Sequence, residues 1–325
     1  MTAGEHAITN WATEEVIIDD SEFRNFSESA ILSYDAGMTI TRNDFFDNQY
    51  GIYATATAPM MSALHIGASS MGNNFGNGNT YGILAEGIND TEISDNVFDG
   101  CTVGTYVRGT SQYRTEENEF SNNFISFGNQ HTMLGLKELS CNNFDNSIAG
   151  LYNLGNNQSV RFEKNHFSTQ NTDVWLDDWN NQTGVLPNQG NAFSAVWNYF
   201  SETHQRHIAT NGPTNVFNYY HPNNSTSPRT KPLCSLNDPT GCTSGSVFNF
   251  NAYFASGNDN NGCDNLVFMR RCMTEECLRD VKERLELKQV EGRNNSHRRG
   301  LAEEIRQLEE ERDYIIHSLV GNWMA

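Results

Sequence analysis

The sequence predicts an all-β solenoid followed by a C-terminal α-helical hairpin, and three observations carry that prediction. Eight phenylalanines, Phe23, Phe45, Phe75, Phe98, Phe120, Phe144, Phe167 and Phe193, recur at intervals of 22, 30, 23, 22, 24, 23 and 26 residues. Seven have asparagine two residues earlier, at Asn43, Asn73, Asn96, Asn118, Asn142, Asn165 and Asn191, and only Phe23 departs, with Ser21. From Thr274 onward the apolar spacing changes to a helical one. A unit of some twenty residues cannot bury an apolar face alone, so such a period requires stacked coils that share one core.

Residues 1–37 form the first coil in this reading, with Val16, Ile17 and Ile18 ahead of Phe23 and a return through Ile31 and Leu32. The frame is clearest in Met38-Thr39-Ile40-Thr41-Arg42-Asn43-Asp44-Phe45, where alternation turns Met38, Ile40 and Phe45 inward and Asn43 marks the bend. It recurs around Ile93, Leu139 and Phe162. Stacked strands lie about 4.8 Å apart, so equivalent residues become columns, and an inward asparagine column would satisfy its amides along the stack. A second signature, Gly51-Ile52-Tyr53, Gly82-Ile83-Leu84, Gly104-Thr105-Tyr106 and Gly150-Leu151-Tyr152, places a glycine corner before an inward residue. Each coil therefore holds at least two strands. The longest interval, before Phe75, implies an inserted loop over Thr55 to Ser62. After Phe193 regularity decays: Asn215 to Tyr220 and Ser246 to Asn251 are expected as last strands, separated by a Pro/Ser/Thr-rich loop that reaches Cys242.

The division expected is a β-solenoid over 1–255, regular over about 16–200, and a Cys-containing linker with a helical hairpin over 256–325. In the second part Thr274 caps a helix striped by Cys277, Val281 and Leu285, and Leu301, Ile305, Leu308 and Ile315 stripe another.

Formal net charge is −19, and residues 1–263 hold 27 of the 40 acidic but only 10 of the 21 basic side chains. That balance repels phosphate backbones, so nucleic acid is not an expected partner, and no run of about 18 apolar residues suggests membrane insertion. No cofactor is implied, with calcium the one cation the acidic surface would attract. No secretory signal opens the chain, which enters strand-like sequence by Val16, so further domains of a longer chain are expected around it. Cys101 and Cys141 fall within repeats and read as small buried thiols; Cys234, Cys242, Cys263, Cys272 and Cys277 sit in loop-rich sequence and are disulfide candidates of an oxidising compartment.

The I-x-x-N-x-F and G-[I/T/L]-[Y/L] pattern resembles the right-handed parallel β-helix repeats of pectate-lyase-like and related secreted proteins. The resemblance implies a right-handed parallel β-helix and a secreted or cell-surface bacterial location. A helical hairpin behind such a helix is also similar to C-terminal regions of large secreted proteins of Bacteroidota-like bacteria. The fold hosts lyases, hydrolases and adhesins alike, so activity has to be read from sites.

Three constellations are candidates. Outward acids Asp95 and Glu117 would be neighbours on adjacent coils, able to hold calcium or share a proton. Asn171-Thr172-Asp173 with Asp177-Asp178 reads as a loop that partly resembles the N-T-D-x-x-D element of polygalacturonase-type glycoside hydrolases, but its spacing differs and no G-D-D, G-H-G or R-I-K follows. Eight positions after the phenylalanines stand Tyr53, Tyr106, Tyr152 and Trp175, with Leu84 and Phe127 shifted by one; alternation turns these aromatics outward, where rings suit sugar faces. His204, His207 and His221 are loop histidines in this reading. Because the strong signals serve the fold and the catalytic ones are partial, the sequence favours a non-catalytic scaffold, adhesin-like or glycan-binding. Its alternative is a polysaccharide lyase or glycoside hydrolase acting on acidic polysaccharide.

Overall fold

A computed structural model describes residues 4–11, 15–57, 63–109, 112–130, 135, 137–178, 183–191, 196–200, 207–211, 217–222, 232 and 250–255. The chain divides into two units, Met1–Asn261 and Gly262–Ala325, and every described residue lies in the first. The expected helical hairpin and the cysteines at 234, 242, 263, 272 and 277 lie outside the described residues, as do His204 and Phe193.

Among the described residues the chain is a parallel β-solenoid whose strands line three long sheets. The first runs from His6–Asn10 through Tyr50–Thr55, Val103–Arg108 and Thr172–Asp177 to Ile208–Asn211. The second runs from Val16–Asp19 to Val160–Glu163, and the third from Glu22–Arg24 to Tyr199–Phe200. Seven successive turns give one strand to each sheet, one strand more per coil than the sequence signatures distinguish. A separate parallel pair joins Phe217–Pro222 to Phe250–Ala255.

The phenylalanines form the spine of the interior. Phe45, Phe75, Phe98, Phe120, Phe144 and Phe167 are fully buried, and neighbouring rings stack with centroids 4.6–5.1 Å apart. That separation is the strand spacing itself, so a residue repeated once per turn meets its own copy face to face. Each buried ring contributes roughly 2–3 kcal/mol of burial plus up to about 1 kcal/mol of ring contact.

Beside the rings runs the asparagine ladder. The Asn96 backbone N–H and Nδ2 both donate to Asn118 Oδ1, at 2.9 and 3.0 Å, and Asn118 donates in the same way to Asn142. Asn118 Nδ2 also donates to the carbonyls of Ile93 and Glu116, so the buried amide is satisfied on every side. The preceding residue makes the bend: Arg42, Asp95, Glu117, Cys141 and Lys164 all have φ between 54° and 60°. Such left-handed conformations cost L-residues about 1 kcal/mol each, and here the ladder holds them.

The last rung differs from the sequence expectation. Phe200 pairs with Phe167 and stacks on it at 5.4 Å, while Asn198 Oδ1 receives the Asn165 N–H at 3.0 Å. Asn198-x-Phe200 therefore continues the column, and Asn191 is exposed. The column closes on Tyr219, whose hydroxyl accepts from Asn198 Nδ2 at 3.1 Å, and on His207, which stacks on Phe200 at 5.0 Å. The histidine read as a loop residue is fully buried, and so nearly is His221.

The single expected insertion is two. Register pairs Thr55 with Glu86 and Leu64 with Thr91, then Ile66 with Ile93 and Phe75 with Phe98. Relative to the next turn, four extra residues precede Leu64 and four more lie between Ile66 and Phe75, where Gly67 (φ 77°) and Ser70 (φ 61°) turn the chain.

The signature glycines act by space. A Cβ on Gly104 would stand 2.6 Å from the Ser126 carbonyl oxygen and 2.9 Å from the Phe120 ring of the next turn, and Gly51, Gly82 and Gly150 are alike. None of these four has a positive φ, so close approach of the phenylalanine spine replaces the expected corner as the reason for glycine. Cys101 is buried as expected, whereas Cys141 is only half-buried, because its left-handed corner turns it away from the core.

Candidate functional site

The outer face of the first sheet gathers the aromatic residues. Within Tyr50–Thr55 the side chains of Ile52 and Ala54 are buried, which leaves Tyr50, Tyr53 and Thr55 on the outside. Register then builds the column Leu32, Tyr53, Leu84, Tyr106, Gly128, Tyr152, Trp175 and Ala209. All four aromatics expected from the sequence are in it. Two details differ. Leu84 is in register with the tyrosines, and Phe127 is turned inward and fully buried, so that Gly128 holds the outward position.

More aromatic residues join this face than the eight-residue offset reveals. Tyr50 stacks on Tyr53 at 5.4 Å and on Tyr81 at 5.2 Å, and Tyr81 meets Tyr106 edge-on at 6.3 Å. At one end Trp11, 68% exposed, stacks on Tyr34 at 4.9 Å; towards the other Tyr152 meets Trp175 edge-on at 5.7 Å. The sequence signal for Tyr50 and Tyr81 is their position directly before the signature glycine, in Tyr50-Gly51 and Tyr81-Gly82.

A single rule fixes the ring tips. Each column tyrosine donates to the polar residue two places beyond its partner on the next turn: Tyr53 to Glu86 at 3.0 Å, Tyr106 to Gln130 at 3.0 Å, and Tyr152 to Asp177 at 3.2 Å. Partial burial pushes the Tyr106 hydroxyl up to about 12; burial first, then the neighbouring carboxylates, raise Tyr53 and Tyr152 as well. These hydroxyls stay protonated donors, and the rings cannot swing freely. The face is thus half-buried and pre-ordered.

The acidic candidates lie apart. Asp95 and Glu117 occupy the left-handed corner on successive turns at the end of the second sheet, both half-exposed. Beside them the outer face of that sheet is a charge-alternating ladder in which His65, Glu92, Arg114, Glu138 and Arg161 are in register; His65 lies 3.2 Å from Glu92 and Arg114 3.8 Å from Glu138. Burial, with Glu92, Glu138 and Asp95 adding to it against Arg114, raises the Glu116 carboxyl. Among the described residues no three His, Cys, Asp or Glu side chains converge as metal ligands.

Asp173, Asp177 and Asp178 do not form a loop. Thr172–Asp177 is a strand, and its alternation sends Asp173 inside and Asp177 outside. Asp173 occupies the inward place that glycine takes in four earlier turns, fully buried, with Oδ1 accepting from the Thr169 hydroxyl at 2.8 Å and Oδ2 without a partner. Burial pushes its carboxyl up to about 7. Asp177 instead serves Tyr152 and accepts the Asp178 N–H at 2.9 Å.

No helix of the described residues is long and apolar enough to cross a membrane. Comparisons with protein-family models, with curated proteins and with solved structures return no significant match.

Proposed function

We propose that this chain is a non-catalytic scaffold that binds carbohydrate along the outer face of its first sheet. The observation that carries this reading is the row of rings held in register from turn to turn, each column tyrosine tethered to the next turn by its hydroxyl. Sugar C–H faces pack on aromatic rings while adjacent amides and carboxylates take the hydroxyl groups, and a platform already ordered loses little entropy on binding. In the column tyrosine stands at every second turn, at Tyr53, Tyr106 and Tyr152, a spacing of about 9.6 Å along the axis, which gives a polymer repeated contacts rather than one pocket. The same reading takes the winding as right-handed, as in about 98% of parallel crossovers. It also places the protein outside the cell, as an adhesin-like part of a larger secreted or surface protein with disulfides in its C-terminal region.

Catalysis is not proposed, because the acid nearest to a hydrolase pattern, Asp173, faces the interior. A glycan array tests the binding reading. Binding is expected, and Tyr152→Ala should weaken it by about tenfold without changing the far-ultraviolet circular dichroism spectrum. Absence of binding to every glycan by the folded protein, or release of reducing ends or unsaturated products from one, would sink the scaffold reading.

A further inference from the structure

The charge of the ligand follows from what flanks the rings, given the carbohydrate reading on which this inference rests. In the strands of the first sheet the outward charged residues near the rings are Glu86, Arg108 and Asp177. Arg108 is the one cation among them: Nη2 donates to Glu86 Oε2 at 2.7 Å, so its charge is already paired, although Nε is buried without a partner and the side chain is 42% exposed. The Glu86 carboxylate also holds Tyr53, and Asp177 holds Tyr152. A uronate or sulfate ester laid on these rings would meet two carboxylates against one guanidinium whose charge Glu86 already offsets, in a chain of net charge −19. Hydroxyl groups, by contrast, find acceptors in the part-exposed carboxylates of Glu86 and Asp177.

A second feature selects where such a chain sits. Gly128 interrupts the aromatic column between Tyr106 and Tyr152. A Cβ there would lie 2.3 Å from Tyr106 Cδ2 and 2.6 Å from Cε2, so the Tyr106 ring lies over the glycine, and its hydroxyl reaches Gln130 beyond it. No other residue type leaves that ring its place.

We infer that the ligand is an uncharged polysaccharide lying across successive turns, with the Tyr106 ring over Gly128 as its central stacking platform. Affinity electrophoresis of the full chain at low ionic strength, with neutral glucan, mannan and xylan set against polygalacturonate, alginate and a sulfated galactan, tests this. Retardation by at least one neutral polymer and by none of the anionic ones is expected. Gly128→Ala should weaken that retardation by about tenfold and Tyr106→Phe by about threefold at most, since the ring remains. If Gly128→Ala does not fold, Tyr106→Ala takes its place with the same expectation. Retardation by an anionic polymer that salt abolishes would overturn the inference and leave the carbohydrate reading intact. Failure of all six polymers, neutral and anionic, would overturn both. Neutral binding that survives Gly128→Ala and Tyr106→Ala alike would overturn the platform.

Discussion

At the scale of single residues the solenoid concentrates its polar energetics inside. Asn118 Oδ1 takes two donors of Asn96, and its own amide reaches Asn142, Ile93 and Glu116. Asn118→Ala leaves several of these groups buried and unpaired and should cost about 3 kcal/mol in urea unfolding. Gln170, whose exposed amide donates to Asn146 at 2.8 Å, is a contrast: Gln170→Ala should change stability by less than about 0.5 kcal/mol. Equal losses would remove the distinction between the inner ladder and surface amide pairs. Asp173 makes a pH prediction. Its folded carboxyl titrates at about 7 against an ordinary 3.8 because it is buried, so the native state holds a proton that the unfolded chain releases. Stability from this site is complete below about pH 4, falls as pH rises towards 7, and is level above that, a loss of roughly 2–4 kcal/mol. Asp173→Asn cannot ionise, so its unfolding midpoint should vary less between about pH 5 and pH 8 than the parent's. Identical pH profiles would show that Asp173 is not the group responsible.

At the scale of elements, the two kinds of glycine separate the demands of space from those of backbone conformation. Gly104→Ala drives a Cβ into the Ser126 carbonyl and the Phe120 ring, and should cost about 2 kcal/mol or more. Gly109 has φ 61°, and among the described residues the nearest atom lies 3.9 Å from where a Cβ would stand, so Gly109→Ala should cost only about 1 kcal/mol. Urea midpoints of the two variants decide it, and the reverse order would contradict the packing argument. What the sequence disclosed of these elements follows the same division. Asn two places before Phe was legible because every turn after the first uses both, the amide at the bend and the ring in the stack. A second inner column, Asn48 and Asn79, then Cys101 and Asn123, then Ser147, was not, because cysteine and serine substitute in it. Nevertheless Asn48 donates to Asn79 Oδ1 and the Cys101 N–H to Asn123 Oδ1, as in the first ladder. Asn191-x-Phe193 matched the period better than Asn198-x-Phe200, yet only the structure reveals the longer excursion that brings Phe200 onto Phe167. The outward tyrosines at the fixed offset were legible from alternation. Tyr50 and Tyr81 are not legible in this way because they stand at the strand start, outside the alternating frame, nor is the inward turn of Asp173, because an acid occupies a core position that glycine takes in other turns.

At the scale of the whole molecule, pairing only between neighbouring turns makes stability a nearest-neighbour sum. Hydrogen exchange should therefore be slowest in the central turns, around Asn96 and Asn118, and faster in His6–Asn10, which pairs with a single strand of its sheet. Uniform protection along the array would show that it opens as one unit. The extra residues around Ala63–Ile66 bear on a different matter. Two excursions of four residues leave the flanking strands and the Phe45–Phe75–Phe98 stack in register, with centroids 4.7 Å apart at both steps. The corner from Gly67 to Asn73 is thus a natural grafting port. A recognition peptide or fluorophore-binding tag inserted there would be carried at a fixed height along the axis, turning the array into a measuring rod on which the distance from tag to bound ligand can be read.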